Sequence, residues 1–174
     1  ELAARFRDQQ SALETVAAKS AVVLEQSANA DVFALAMDGY TAAVSMFNVR
    51  NGRIRGARGW VVDLELERTE AELFEYTLQN VYVDEALPVP KEIVTSVLPS
   101  DHLQLEELLT DLRGSKVKIK VAERGDKRAL TETAMANAVS SLSQFKLKRS
   151  TDFTARSVAL ANLQTALGLS SIPL

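Results

Sequence analysis

Asn51-Gly52 stands between two runs with strand character, residues 41–50 and 53–66. A two-residue hairpin loop of type I′ needs positive φ at both central positions, and Asn-Gly meets that need at little steric cost. Such a turn forces two antiparallel neighbours into one sheet and fixes their register. Upstream, residues 31–37 (DVFALAM) are apolar on both faces, as a strand covered on both sides must be, and Asp38-Gly39 after them is a second hairpin pair. These segments predict a three-stranded meander. Gly56 and Gly59 mark a bulge or a close backbone approach in its third strand.

Past the meander the period changes. Residues 69–83 carry an apolar stripe at Ala71, Phe74, Leu78 and Val81, with Thr69 placed to cap and Glu70 and Glu72 in the first turn, so they read as a helix. Residues 93–98 read as a short strand stopped by Pro99, and Ser100 or Asp101 caps a helix through residue 112 that Gly114 ends. Residues 116–122 alternate, with Val117, Ile119 and Val121 inward and Lys116, Lys118 and Lys120 outward. Arg124-Gly125-Asp126 opens a long helix to about residue 149, and residues 152–167 read as a separate final helix with Gly168 at its end. Residues 1–26 read as an Ala-rich helix with Leu2, Phe6, Leu13 and Val16 near helical spacing. The order is a helix, then β-β-β-α-β-α-β-α, then a linking helix. Right-handed crossovers set the later strands parallel to the first. The fold class expected is α/β, a mixed sheet with the succession of an RNase H-like fold, its third and fifth strands toward opposite edges.

Composition narrows the chemistry. With no cysteine, disulfides, thiol catalysis and Cys-ligated zinc are excluded, and His102 alone supports neither a catalytic triad nor a histidine metal cluster. No apolar run approaches the ~20 residues that span a bilayer. The net charge of −3 hides an asymmetry. Residues 113–156 hold eleven Lys/Arg against four acids, Glu123, Asp126, Glu132 and Asp152, and residues 50–58 hold four arginines and no acid. Such segregation can steer a polyanion to one face, or the cations can be scattered and solvated. Arg53 and Arg55 share a face by alternation, with Trp60 further along. Arginine near an aromatic suits phosphate contact and base stacking; otherwise this is a soluble hairpin tip whose Trp60 fills core, the role favoured for the tryptophan. At 124–128 the backbone N–H groups of a helix start can attract phosphate. A cap at Asp126 is the simpler reading and leaves Lys127 and Arg128 free. For a two-metal nuclease the candidate carboxylates are Asp38, Glu72 or Glu75, and Asp126 or Glu132, but the fourth strand ends at Val97-Leu98-Pro99 without an acid.

Several stretches resemble a known family. Residues 1–16 (ELAARFRDQQSALETV) look like the second helix of a UVR motif, matching at Ala3, Ala4, Arg7, Asp8 and Leu13. FNVRNGRIRGARGW at 47–60, ERGDKRAL at 123–130 with Ala134 and Asn137, and RSVALANLQTALGL at 156–169 resemble the middle of the UvrC family. The resemblance implies a piece of a longer protein, in keeping with a chain that begins at Glu1 rather than Met. Residues 1–26 would be half of a UvrB-binding hairpin. Residues 31–149 would be an RNase H-like domain without its own catalysis, and 150–174 a helix leading to a nuclease domain. It also implies a cytoplasmic role in nucleotide excision repair, with UvrB and DNA as partners. The DNA would be bound without sequence preference. No cofactor or metal is expected in this piece; a divalent metal is implied for the parent nuclease. The residues expected to meet DNA are Arg50, Arg53, Arg55, Arg58, Lys116, Lys118, Lys120, Arg124, Lys127 and Arg128. Two other classes stay open: a protein-binding spacer without DNA contact, and an independent metal-dependent nuclease using Asp38, Glu72 and Asp126.

Overall fold

In a computed structural model, which describes residues 28–64 and 66–167, the hairpin pairs organise a meander of β1 (Ala30–Asp38), β2 (Thr41–Arg50) and β3 (Arg53–Asp63). Asn51 and Gly52 both have positive φ, 53° and 71°, as their loop requires. Asp38 pairs directly with Thr41, so the other two-residue loop is Gly39-Tyr40 rather than Asp38-Gly39, and Gly39 supplies its positive φ of 59°. The expected bulge is present. Asn48 faces Gly56 while Val49 faces Ile54, which leaves Arg55 as the inserted residue. A Cβ on Gly56 would stand 3.2 Å from Asn48 Oδ1. The insertion also ends the plain alternation expected of Arg53 and Arg55.

Two parallel strands complete the sheet, β4 (Glu92–Thr95) and β5 (Lys118–Val121), in the order β3-β2-β1-β4-β5. Strands three and five do lie on opposite edges. One face is covered by α1 (Glu70–Gln79), a π-helical turn over Asn80–Asp84, and α2 (His102–Arg113). There Phe33, Leu35, Val44 and Met46 pack on Leu73, Phe74, Leu78, Tyr82, Leu105 and Leu109. The other face carries α3 (Gly125–Leu167), whose Leu130 and Ala134 meet Ala30, Val32, Ala34, Phe47 and Val49. Successive residues of β1 divide between the two cores, which explains its unbroken apolar run.

Local signals set several boundaries. Thr69 forms a full capping box with Glu72, and Gly114 ends α2 in the left-handed conformation at φ 71°. Asp101 takes the N-cap position of α2 but makes no side-chain cap bond. Other expectations are corrected. β3 ends at Asp63, β4 spans only four residues, and α1 gives way to the π-helical turn at Asn80. Val117 and Ile119 are buried as expected, but Val121, the last residue of the edge strand β5, is 39% exposed. The long helix and the final helix are one. Thr151 and Thr154 turn their hydroxyls onto the Leu147 and Ser150 carbonyls, and no Gly or Pro interrupts residues 126–167. Residues 1–26, with Ala3, Ala4, Arg7, Asp8 and Leu13, lie outside the described residues, as does Gly168. Among the described residues no helix is long and apolar enough to cross a membrane.

Candidate nucleic-acid interface

Topology brings the hairpin tip and part of the second basic cluster, Lys116 to Lys127, to one rim, while Lys146 and Arg149 of that cluster lie at the other end of the sheet. In a meander the β2–β3 turn returns to the end where β1 begins. The parallel strands β4 and β5 begin at that end too, since Ala30 is level with Glu92 and Glu92 with Lys118. The hairpin tip is tied there: Gly52 N–H donates to the Ala28 carbonyl at 2.9 Å and Asn51 N–H to Asn29 Oδ1 at 3.1 Å. Ala28 and Asn29 in turn help line a cleft of about 490 Å³ with Lys91, Glu92, Lys116, Lys118, Lys120, Arg124, Asp126 and Lys127. Six cations face two carboxylates, so the potential over this rim is positive and suits a polyanion.

The ten candidate contacts are not equivalent. Arg50 is committed to the interior. Its Nη1 lies 2.5 Å from Asp31 Oδ1 and also donates to the Val49 carbonyl at 2.8 Å. Arg58 pairs with Glu85 at 2.8 Å and lies 5.6 Å from the Trp60 ring centre, while Trp60 itself is partly buried against the core. Lys118 is held by Glu106 at 2.7 Å, Lys127 by Glu92 at 2.6 Å and Lys120 by Glu92 at 3.5 Å. Arg128 pairs with Glu132 at 2.8 Å. Arg53, Arg55, Lys116 and Arg124 have no ion-pair partner among the described residues, and neither does Lys91. Lys91 is a cleft residue that sequence reasoning missed. A single lysine after Pro90 carries no local signal, and only the parallel register sets it beside Lys116.

The electrostatics behind the rim are tightly satisfied. Asp31, 1% exposed, accepts from Arg50 and, at 2.8 Å, from the Tyr82 hydroxyl. Burial, then the adjacent Asp31 charge and its bond, push the Tyr82 hydroxyl well above its usual range, with Arg50 opposing. Burial alone would raise the Glu106 carboxyl. The bonds from Lys118 and from Ile119 N–H outweigh it and hold that carboxyl below its ordinary value.

The carboxylates of a metal-dependent nuclease are not assembled. Asp38, at the far end of β1, is exposed and bound by Lys146 of α3, beside an Asp63–Arg149 pair at 3.1 Å. Glu72 lies on the helix covering the opposite face, and its carboxylate serves the cap. The Thr69 N–H, then the Thr69 hydroxyl, lower its pKa, with help from Arg68 against slight desolvation. Glu75 accepts from Gln79, Glu132 is paired with Arg128, and Asp126 stands at the basic rim, the other end of the sheet from Asp38. Among the described residues no three His, Asp or Glu side chains are grouped to hold a metal ion, so this donor set does not fit a divalent cation.

Residues 29–145 match the family model of the UvrC ribonuclease H-like domain. The UvrABC system protein C of Mycobacterium marinum is 48% identical over 187 residues, covering all of this chain and 29% of that protein. The protein of the same name from Renibacterium salmoninarum is 49% identical over 172 residues, covering 97% of this chain and 26% of its own length. The one from Mycobacterium tuberculosis is 46% identical over 186 residues, covering all of this chain and 29% of that protein. The chain thus spans less than a third of the length of these relatives.

Proposed function

The chain belongs to the UvrC family, through that family's ribonuclease H-like domain, and from that premise we propose that it is a non-catalytic, DNA-facing domain. Its role is to position the nuclease domains of an excinuclease on damaged DNA during nucleotide excision repair. The observation that carries this reading is the convergence of the hairpin tip and the lysine-rich cleft on one rim, joined through Ala28 and Asn29. Contacts of this kind go to backbone phosphates, so they fix orientation without reading sequence. At the other end of the sheet, α3 continues past the Arg149–Asp63 pair to Leu167. An unbroken helix leaving a DNA-bound body sets a direction for whatever follows it. The dispersed carboxylates support assigning incision, and the divalent metal it needs, to other parts of the parent protein. UvrB is the protein partner we assign to the complete UVR hairpin, and the cytoplasm is the location.

The test is a salt series of duplex DNA binding on the chain and on a variant with Arg53, Arg55, Lys116 and Arg124 reversed to Glu. Among the described residues none of the four is in an ion pair, so the fold should not depend on them. Wild type should bind without sequence preference, and its affinity should fall steeply with salt. The variant should lose binding, with log K against log salt flattened by about three to four. Circular dichroism and the melting midpoint should be unchanged. Equal affinity in both proteins would instead make the domain a spacer whose parent contacts DNA elsewhere.

A further inference from the structure

Glu92 has an unusual place in the cleft. It begins β4 level with Ala30, at the sheet's basic rim, and its side chain is 19% exposed. One carboxylate oxygen receives Lys127 Nζ at 2.6 Å and the other faces Lys120 Nζ at 3.5 Å. Lys91, Lys116 and Arg124 line the same cleft without an acid of their own. A carboxylate with one ammonium group at each oxygen mimics the two non-bridging oxygens of a phosphodiester. It also sits among cations that favour an anion. Lys120 is 59% exposed at the edge strand and only loosely engaged, so it can leave Glu92 for an incoming anion at little cost.

We infer that Glu92 is a built-in stand-in for a backbone phosphate, holding a phosphodiester seat between Lys120 and Lys127 that it yields when DNA enters the cleft. This rests on the DNA-facing reading above and adds regulation to it: the free protein carries its own competitor, which lowers affinity for DNA and sets a threshold on engagement. The chemistry is exchange of one anion for another, with no covalent step.

The experiment measures duplex DNA affinity across a salt series for wild type, Glu92→Gln and Asp63→Asn. Glu92→Gln keeps the side-chain shape and frees both ammonium groups. Its affinity should rise about tenfold, and its log–log salt slope should steepen by about one to two. Asp63→Asn removes the same charge from an exposed pair at the far end of the sheet, whose partner Arg149 is not a candidate contact, and should change either quantity little. An equal rise in both variants would reduce the effect to net charge and overturn the inference. So would Glu92→Gln with wild-type affinity and slope, a result that leaves the DNA-facing reading standing. Absence of binding by every protein at low salt would instead sink both. If Glu92→Gln melts below the assay temperature, Lys120→Gln decides. It should weaken wild-type binding and flatten the slope by about one, whereas a lysine kept by Glu92 in the complex would leave the slope unchanged.

Discussion

Asp31, Arg50 and Tyr82 show how a single buried carboxylate constrains this protein. Asp31 has two side-chain partners, and they come from the end of β2 and from the π-helical turn, 19 and 51 positions away. The cluster therefore locks the base of the hairpin to the helical layer. Tyr82→Phe removes one partner and should cost about 1–3 kcal/mol, the usual penalty for leaving a buried acceptor short of a donor. The pH dependence has a defined sign. The Tyr82 hydroxyl is raised above its ordinary value of 10.0, so the stability it contributes is fully present below that pH. That stability is lost as pH rises toward the folded-state value. Urea melts on the alkaline side should show wild type weakening with pH while Tyr82→Phe weakens less; parallel curves would mean that Tyr82 does not titrate with unfolding.

At the scale of elements, the β2–β3 hairpin and α3 carry the expectations most exposed to test. Gly52 sits at φ 71°, a conformation that costs an L-residue about 1–2 kcal/mol and a β-branched one more. Gly52→Val should thus lower the melting midpoint clearly, and Gly52→Asn much less. The continuity of α3 is tested by Asp152→Pro. Were residues 152–167 a separate helix, this proline would occupy its first turn, where it is tolerated. Inside one continuous helix it removes a backbone bond and clashes with the preceding turn, costing about 3 kcal/mol. The loss should appear as reduced ellipticity at helical wavelengths. Undiminished helicity would restore two helices.

For the whole molecule, the division of carboxylates between the two ends and two faces of the sheet decides what the domain can do. Asp38 lies near Lys146, Glu72 completes a helix cap, and Asp126 stands at the basic rim. A two-metal cage needs its acids within a few ångströms of a common point. The chain should therefore leave duplex DNA intact with Mg²⁺ or Mn²⁺ present, and Asp38→Ala should change nothing in that assay. Metal-dependent cleavage abolished by Asp38→Ala would overturn the non-catalytic reading. The described residues instead present one basic rim, where β1, β4 and β5 begin, with α3 running from it past the opposite end of the sheet.

Much of this architecture was legible locally. Asn51-Gly52 determined a tight turn because few residue pairs accept positive φ twice. The two-faced apolar run of β1 announced a central strand. Thr69 with Glu72, and Gly114, marked helix ends through bonds spanning three or four residues. These are short-range rules, and one chain carries them whole. What the sequence could not settle was which distant residues meet. Eleven and four basic residues in two blocks are compatible with opposite edges, and the strands bearing them do lie on opposite edges. The hairpin tip and the cluster from Lys116 to Lys127 reach one rim only because a meander turn and two parallel strand starts fall at the same end, while Lys146 and Arg149 lie at the other end, on Asp38 and Asp63. The pairing of Glu92 with Lys120 and Lys127, and of Asp31 with Tyr82, likewise depends on register and on which helix covers which face. Those choices are made by packing the whole core at once, so no local pattern records them.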